Sequence, residues 1–218
     1  MTIKSMNPPL PRETATDVPA LPVSRRLPLR APPYEPEVEK IVGKTSFSDL
    51  SPQNLRRVLA HHPALAASFQ AMAHVVLFKS EVPERQREIA IIRTGALTRS
   101  EYEWGMHVSI FGERCQLDAT QVDALSLCES WRELSEFVWT TAERLIVRMV
   151  DELHHHSTVS DATWAQMDAQ WPREQIIELI LSASFYHMAA FFLNSTAVPL
   201  EQGSRRFPVG LAQAVVPE

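Results

Sequence analysis

Prolines crowd the front of this chain: nine of its sixteen lie between Pro8 and Pro36, in the stretch PPLPRETATDVPALPVSRRLPLRAPPYEP. Each removes an amide donor and fixes φ, so neither a helix nor a sheet strand runs through such a segment. Residues 1–36 are therefore expected as an extended arm. It is either a loosely ordered leader or a strap whose Leu and Val side chains dock on the body or on a neighbouring subunit. Beyond Pro36 the punctuation changes. The whole chain has only six glycines, strand-type alternation is hard to find, and helix signals recur at short intervals. One all-α domain is expected over 37–203, followed by a tail over 204–218. With 45% apolar residues in 218, the chain is long enough for a single sizeable core.

The helices can be placed coarsely. Ser51 or Asn54 can start a helical stretch through NLRRVLAHHPALAASFQAMAHVVLF, which Pro63 divides into two packed helices. PERQREIAIIRTGAL has Pro83 at a start position and Ile89, Ile92 and Ala96 along one side, the pattern of a short buried helix. Ser100 followed by Glu103 has capping-box spacing and opens EYEWGMHVSIFGERC. Leu117-Asp118 opens the next helix. Further helices are expected at Trp139 to Leu153, Ser160 to Gln170 and Arg173 to Asn194. The last is apolar on most faces and belongs in a core or a subunit interface.

A formal charge of -5 provides no global field to collect nucleic acid or an anionic membrane surface, and neither is an expected partner. The first residues lack a secretory h-region, and no run is read as reaching the roughly 18 apolar residues of a membrane span. Cys115 and Cys128 fit neither a CxxC redox pair nor a zinc knuckle. A cytoplasmic protein is expected. His154, His155 and His156 look like ligand material, but consecutive helical residues point about 100° apart and do not converge on one ion. No metal site is expected. Without a Gly-rich phosphate loop after a strand, no nucleotide or other cofactor is expected either.

The densest chemistry lies in Glu88, Ser100, Tyr102, Glu103, Trp104 and His107. On a helix starting at Ser100, positions 100, 103 and 107 share a face, aligning a hydroxyl, a carboxylate and an imidazole. A carboxylate beside imidazole orients the ring and favours its charged form, so the strip could exchange protons. By spacing alone, the stronger reading is a capped helix start with a surface ion pair. Tyr102 and Trp104 flank the strip, as packing residues or as walls of a pocket. His187 and Asn194, seven residues apart on one face of the apolar last helix, either satisfy core backbone groups or meet the Glu88 and His107 strip across that pocket.

The stretch REIAIIRTGALTRSEYEWGMHVSIFGERCQLD resembles the carboxymuconolactone decarboxylase family, which shares its helical fold with alkylhydroperoxidase D. The segments NLRRVLAHHPALAASF and DELHHHSTVSDATWAQMDAQWPREQIIELILSASFYHMAAFFLN extend the likeness over roughly residues 37 to 203. The resemblance implies an orthogonal helical bundle that self-associates, as a trimer or hexamer with a dimer also possible. In the peroxidase branch a glutamate precedes a CxxC pair and a histidine. Glu88 and His107 match the outer positions, while Ser100 and Glu103 stand where the two sulfurs would be. A disulfide-cycling peroxidase needs both thiols, so that activity is not expected.

The resemblance then implies a lyase: cofactor-free decarboxylation of a small cyclic lactone or aromatic-derived carboxylate. A carboxylate vinylogous to a lactone carbonyl can leave as CO2 because the ring delocalises the resulting dienolate. The protein supplies a proton and a donor to the developing oxyanion. His107 would be the general acid, Glu103 would orient it, and Glu88 would set its charge or carry a second proton. Ser100, Tyr102, Trp104, His187 and Asn194 would contact the substrate. Two alternatives stay open: another proton-transfer enzyme on the same strip, such as an isomerase, hydratase or atypical peroxidase, and a non-catalytic oligomeric scaffold.

Overall fold

A computed structural model of the chain describes residues 26–43 and 53–212. These form helices α1 (Pro36–Val42), α2 (Gln53–Leu59), α3 (Pro63–Phe78), α4 (Glu84–Leu97), α5 (Glu101–Phe111), α6 (Ala119–Leu127), α7 (Thr141–His156), α8 (Asp161–Gln170) and α9 (Arg173–Thr196). A 3-10 turn at Trp131–Glu133 precedes α7, and the described residues contain no strand. The chain thus has an all-α architecture. The expected helix start at Ser51 and the front of the arm, residues 1–25, lie outside the described residues.

Helix α4 is the hub and packs on α5, α6, α7 and α9. Its consecutive residues Ile89, Ala90, Ile91 and Ile92 are fully buried, so neighbours cover every side of the helix at this level. Its buried charges are partnered. Arg93 Nε donates to Asp151 Oδ1 of α7 at 2.7 Å, and Nη1 donates to the Leu125 and Cys128 carbonyls at the end of α6. These bonds tie α6 and α7 to α4 at one residue.

Helix α5 lies unusually close to α4. A Cβ at Gly95 would come within 3.0 Å of Trp104 Cβ, so the missing side chain permits the approach. On the opposite side the backbone of residues 205–207 crosses α5 at Gly105, where a Cβ would clash with the Arg205 carbonyl oxygen. Arg205 N donates to Ser109 Oγ, and Arg206 Nε and Phe207 N both donate to Glu101 Oε1. The front of the segment separated by sequence as a tail is therefore bound to the body.

The described part of the arm is also docked. Leu27, Leu29 and Tyr34 pack on the smaller core around α1 and α2. Arg57 Nε donates to the Arg30 carbonyl at 2.6 Å, and Arg26 Nη1 to the Ser195 carbonyl at the end of α9. Of the two readings of the arm, residues 26–35 follow the strap.

Two local expectations are corrected. Ser100 is the N-cap of α5, but its side chain makes no capping bond. The capping box fails because Glu103 turns instead toward His107, whose buried charge is the stronger attraction. Second, α9 is long and apolar enough, by length and composition, to cross a membrane. Half of the relevant stretch is buried in the bundle, which accounts for its apolar character as a core helix.

Candidate active site

The close approach of α4 and α5 brings together side chains nineteen residues apart. Glu88 Oε2 on α4 lies 2.7 Å from Nδ1 of His107 on α5, and Glu103 Oε1 lies 3.2 Å from Nε2 of the same ring. Both imidazole nitrogens therefore face carboxylates. Glu88 is fully buried, and its other oxygen accepts from Arg87 Nη2 at 3.1 Å. The sequence reading assigned the orienting role to Glu103. The shorter, fully enclosed contact belongs to Glu88, which holds the ring, while Glu103 sits on the cavity side.

Burial is the largest influence on His107 and disfavours its charge. The Glu88 charge and the hydrogen bonds that the ring donates to Glu103 and Glu88 outweigh it and raise the imidazole from 6.5 to about 9. His107 is consequently an imidazolium at neutral pH. Phe111 stacks on the ring at 5.4 Å between centroids, and Tyr186 of α9 meets it edge-on at 4.8 Å.

Glu103 and His107 open on a cavity of about 90 Å3. An apolar cavity of about 150 Å3 accepts one benzene, so this space suits one small ring at most. Leu55, Phe69, Leu77, Met106 and Phe185 supply much of the wall, and among the described residues no Lys or Arg lines it. Glu88 stands behind His107 and does not line the cavity. Helices α2 and α3 form the roof and α5 and α9 the floor.

The remaining candidate residues separate. Tyr102 lines the cavity, but its hydroxyl is committed, donating to Glu201 Oε1 at 2.8 Å and accepting from Leu55 N at 3.2 Å. Trp104 is a core residue, its Nε1 donating to Ser126 Oγ on α6. Ser100 is wholly buried, with a hydroxyl that has no hydrogen-bond partner among the described residues, and is not on the cavity wall.

His187 and Asn194 do not reach the site. His187 Nε2 lies 3.0 Å from His154 Nδ1 of α7, and its own Nδ1 lies 2.8 Å from the Ala183 carbonyl. Burial and then the neighbouring His187 and His155 push His154 down to about 4, so that ring stays neutral. Asn194 Nδ2 donates to the Thr98 carbonyl and pins the α4–α5 turn. Seven residues along a helix is about 10 Å, enough for two residues on one face to meet different neighbours.

Sequence reasoning passed over Tyr186 as a site residue. Its signal was available: Leu179, Ala183, Tyr186, Ala190 and Leu193 form the most buried stripe of α9. Tyr186 is the polar member of that stripe, whereas His187 lies at its edge.

Residues 63–125 match the model of the carboxymuconolactone decarboxylase family. That segment runs from α3 to α6 and contains Glu88, Glu103 and His107. None of the curated proteins matches the chain. Among solved structures, the chain is similar to an uncharacterized peroxidase-related protein from Silicibacter sp. TM1040. The TM-score is 0.67 at 16% identity, covering 86% of this chain and 96% of that one. It is also similar to an alkylhydroperoxidase AhpD core protein, described as peroxidase-related, from Ralstonia eutropha JMP134. That TM-score is 0.60 at 15% identity, covering 68% and 77%. These structural likenesses are likenesses of fold. The 63–125 segment is thus similar to the carboxymuconolactone decarboxylase family, and the chain has the all-helical AhpD-like fold.

Proposed function

We propose that the chain is a cofactor-free proton-transfer enzyme, a lyase that removes CO2 from a small cyclic carboxylate. The supporting observation is His107, held as an imidazolium between Glu88 and Glu103 on the wall of a ring-sized apolar cavity. In this reading Glu103 is the cavity-facing proton carrier. His107 supplies it with a proton, and Glu88 keeps His107 oriented and charged. A wall that is mostly apolar and, among the described residues, holds no Lys or Arg favours loss of a carboxylate as neutral CO2 over its retention as an anion. A scaffold with a solvated ion pair would not need a buried triad beside a cavity.

Thiol peroxidase chemistry has less support. Neither cysteine lines the cavity, and burial, followed by the Glu88 and Glu84 charges, pushes the Cys115 thiol up to about 12. The protein is further proposed to act in the cytoplasm as a homo-oligomer, joined through apolar side chains that α3 and α9 expose.

The test is CO2 release from a panel of five-membered lactone acids and aromatic acids, with His107→Gln as control. Release that resists chelator and is abolished by the substitution supports the reading. Equal release from the variant, or none from any acid with wild type, removes it.

A further inference from the structure

Tyr186 is 2% exposed, lines the cavity and stands edge-on to His107. Its hydroxyl has no hydrogen-bond partner among the described residues. A buried phenol normally finds one, because leaving the group unsatisfied costs free energy. The other cavity tyrosine, Tyr102, has both its donor and its acceptor capacity occupied by Glu201 and Leu55. Among the described residues, Tyr186 therefore carries the uncommitted hydroxyl on a wall that is otherwise apolar apart from Glu103 and His107.

From this geometry we infer that Tyr186 is a substrate-binding residue. Its hydroxyl donates to the carbonyl oxygen of a ring-sized unsaturated lactone or enone with at most one carboxylate. The inference rests on the acid–base reading above. Burial, followed by the Glu103 and Glu88 charges, holds the phenol well above its ordinary range, so it is a donor at all ordinary pH values. In the reaction the C–C bond to the carboxylate breaks and CO2 leaves. The electron pair passes through the ring double bond onto the carbonyl oxygen, which Tyr186 holds. The pair returns to carbon and takes a proton from the Glu103–His107 pair, which water then reprotonates. A second carboxylate on the ring would find no Lys or Arg among the described residues of the wall. The nearby Arg87 is occupied by Glu88 and Glu84.

The probe is unsubstituted butenolide, with two readouts: the infrared carbonyl band of the bound lactone, and hydrogen–deuterium exchange at its ring CH2 in D2O. In wild type the band shifts to lower wavenumber than in an apolar solvent, and exchange is accelerated. Tyr186→Phe returns the band to its apolar-solvent position and weakens binding about five- to tenfold, the worth of one hydrogen bond. It slows exchange by at least about tenfold, as expected for loss of a donor to a developing oxyanion. The variant's Tm stays the same or rises, since the hydroxyl satisfies nothing within the chain; a structural role would lower it. An unshifted wild-type band, no saturable lactone binding, or a variant that binds and exchanges like wild type overturns the inference. His107→Gln separates the two levels: it abolishes exchange and leaves the band shifted. Undiminished exchange in that variant would defeat the acid–base reading, while the band would still decide the role of Tyr186.

Discussion

Nδ1 of His107 on α5 lies 2.7 Å from Oε2 of Glu88 on α4, fully inside the bundle. This contact exists because Gly95 lets α5 settle against α4, and it makes the charge state of one depend on the other. Glu88→Gln should remove the main support for the imidazolium. It should move the alkaline limit of activity to lower pH and destabilise the fold by about 3–5 kcal/mol, the cost of breaking a buried pair. Denaturant titration and a pH profile of the same variant check both parts.

Glu103→Gln should behave differently. Glu103 faces the cavity, so the loss should fall on kcat with little change in KM and a smaller effect on stability than Glu88→Gln. Steady-state kinetics beside a thermal melt separates the two glutamates; equal effects at both positions would remove the division of roles.

Stability should also carry the signature of His107. The group's value rises from 6.5 to about 9 on folding, so the folded state binds the proton more tightly. Its contribution is fully present below about pH 6.5 and is lost as pH rises through about 9. Denaturation midpoints measured from pH 6 to 10 should fall over that window, and His107→Gln should flatten the fall.

Leu65, Met72 and Val75 of α3 and Ile177, Leu181, Met188 and Phe191 of α9 are exposed in a single chain. An apolar surface of this kind is expected to be covered by a partner. Phe191→Asp should shift the sedimentation coefficient from oligomer to monomer, and an unchanged coefficient would place the contact elsewhere.

Cys115→Ala together with Cys128→Ala should leave turnover intact, because neither sulfur lines the cavity. Loss of activity in the folded double variant would return a thiol to the chemistry.

Much of this was legible in the residues. Pro63, Pro83, Asp118 and Ser160 mark helix starts through fixed φ or side-chain capping, and each does so in the structure. The shared face of Glu103 and His107 follows from helical spacing, and the family resemblance supplied Glu88. Spacing within one helix does not say which neighbour a face meets. That is why His187 and Asn194 were joined to the site when α7 and the Thr98 turn hold them. It is also why the ring was assigned to the nearby Glu103 when Glu88 across the helix interface holds it. Tyr186 was passed over because its role arises where α9 crosses α5, a relationship between segments far apart in the chain.

The central claim, that His107 is a proton donor kept charged by two carboxylates, is tested most directly by a 15N NMR titration of its imidazole. The account predicts two protonated ring nitrogens at pH 7, with loss of one proton near pH 9. A ring already neutral at pH 7 would contradict it.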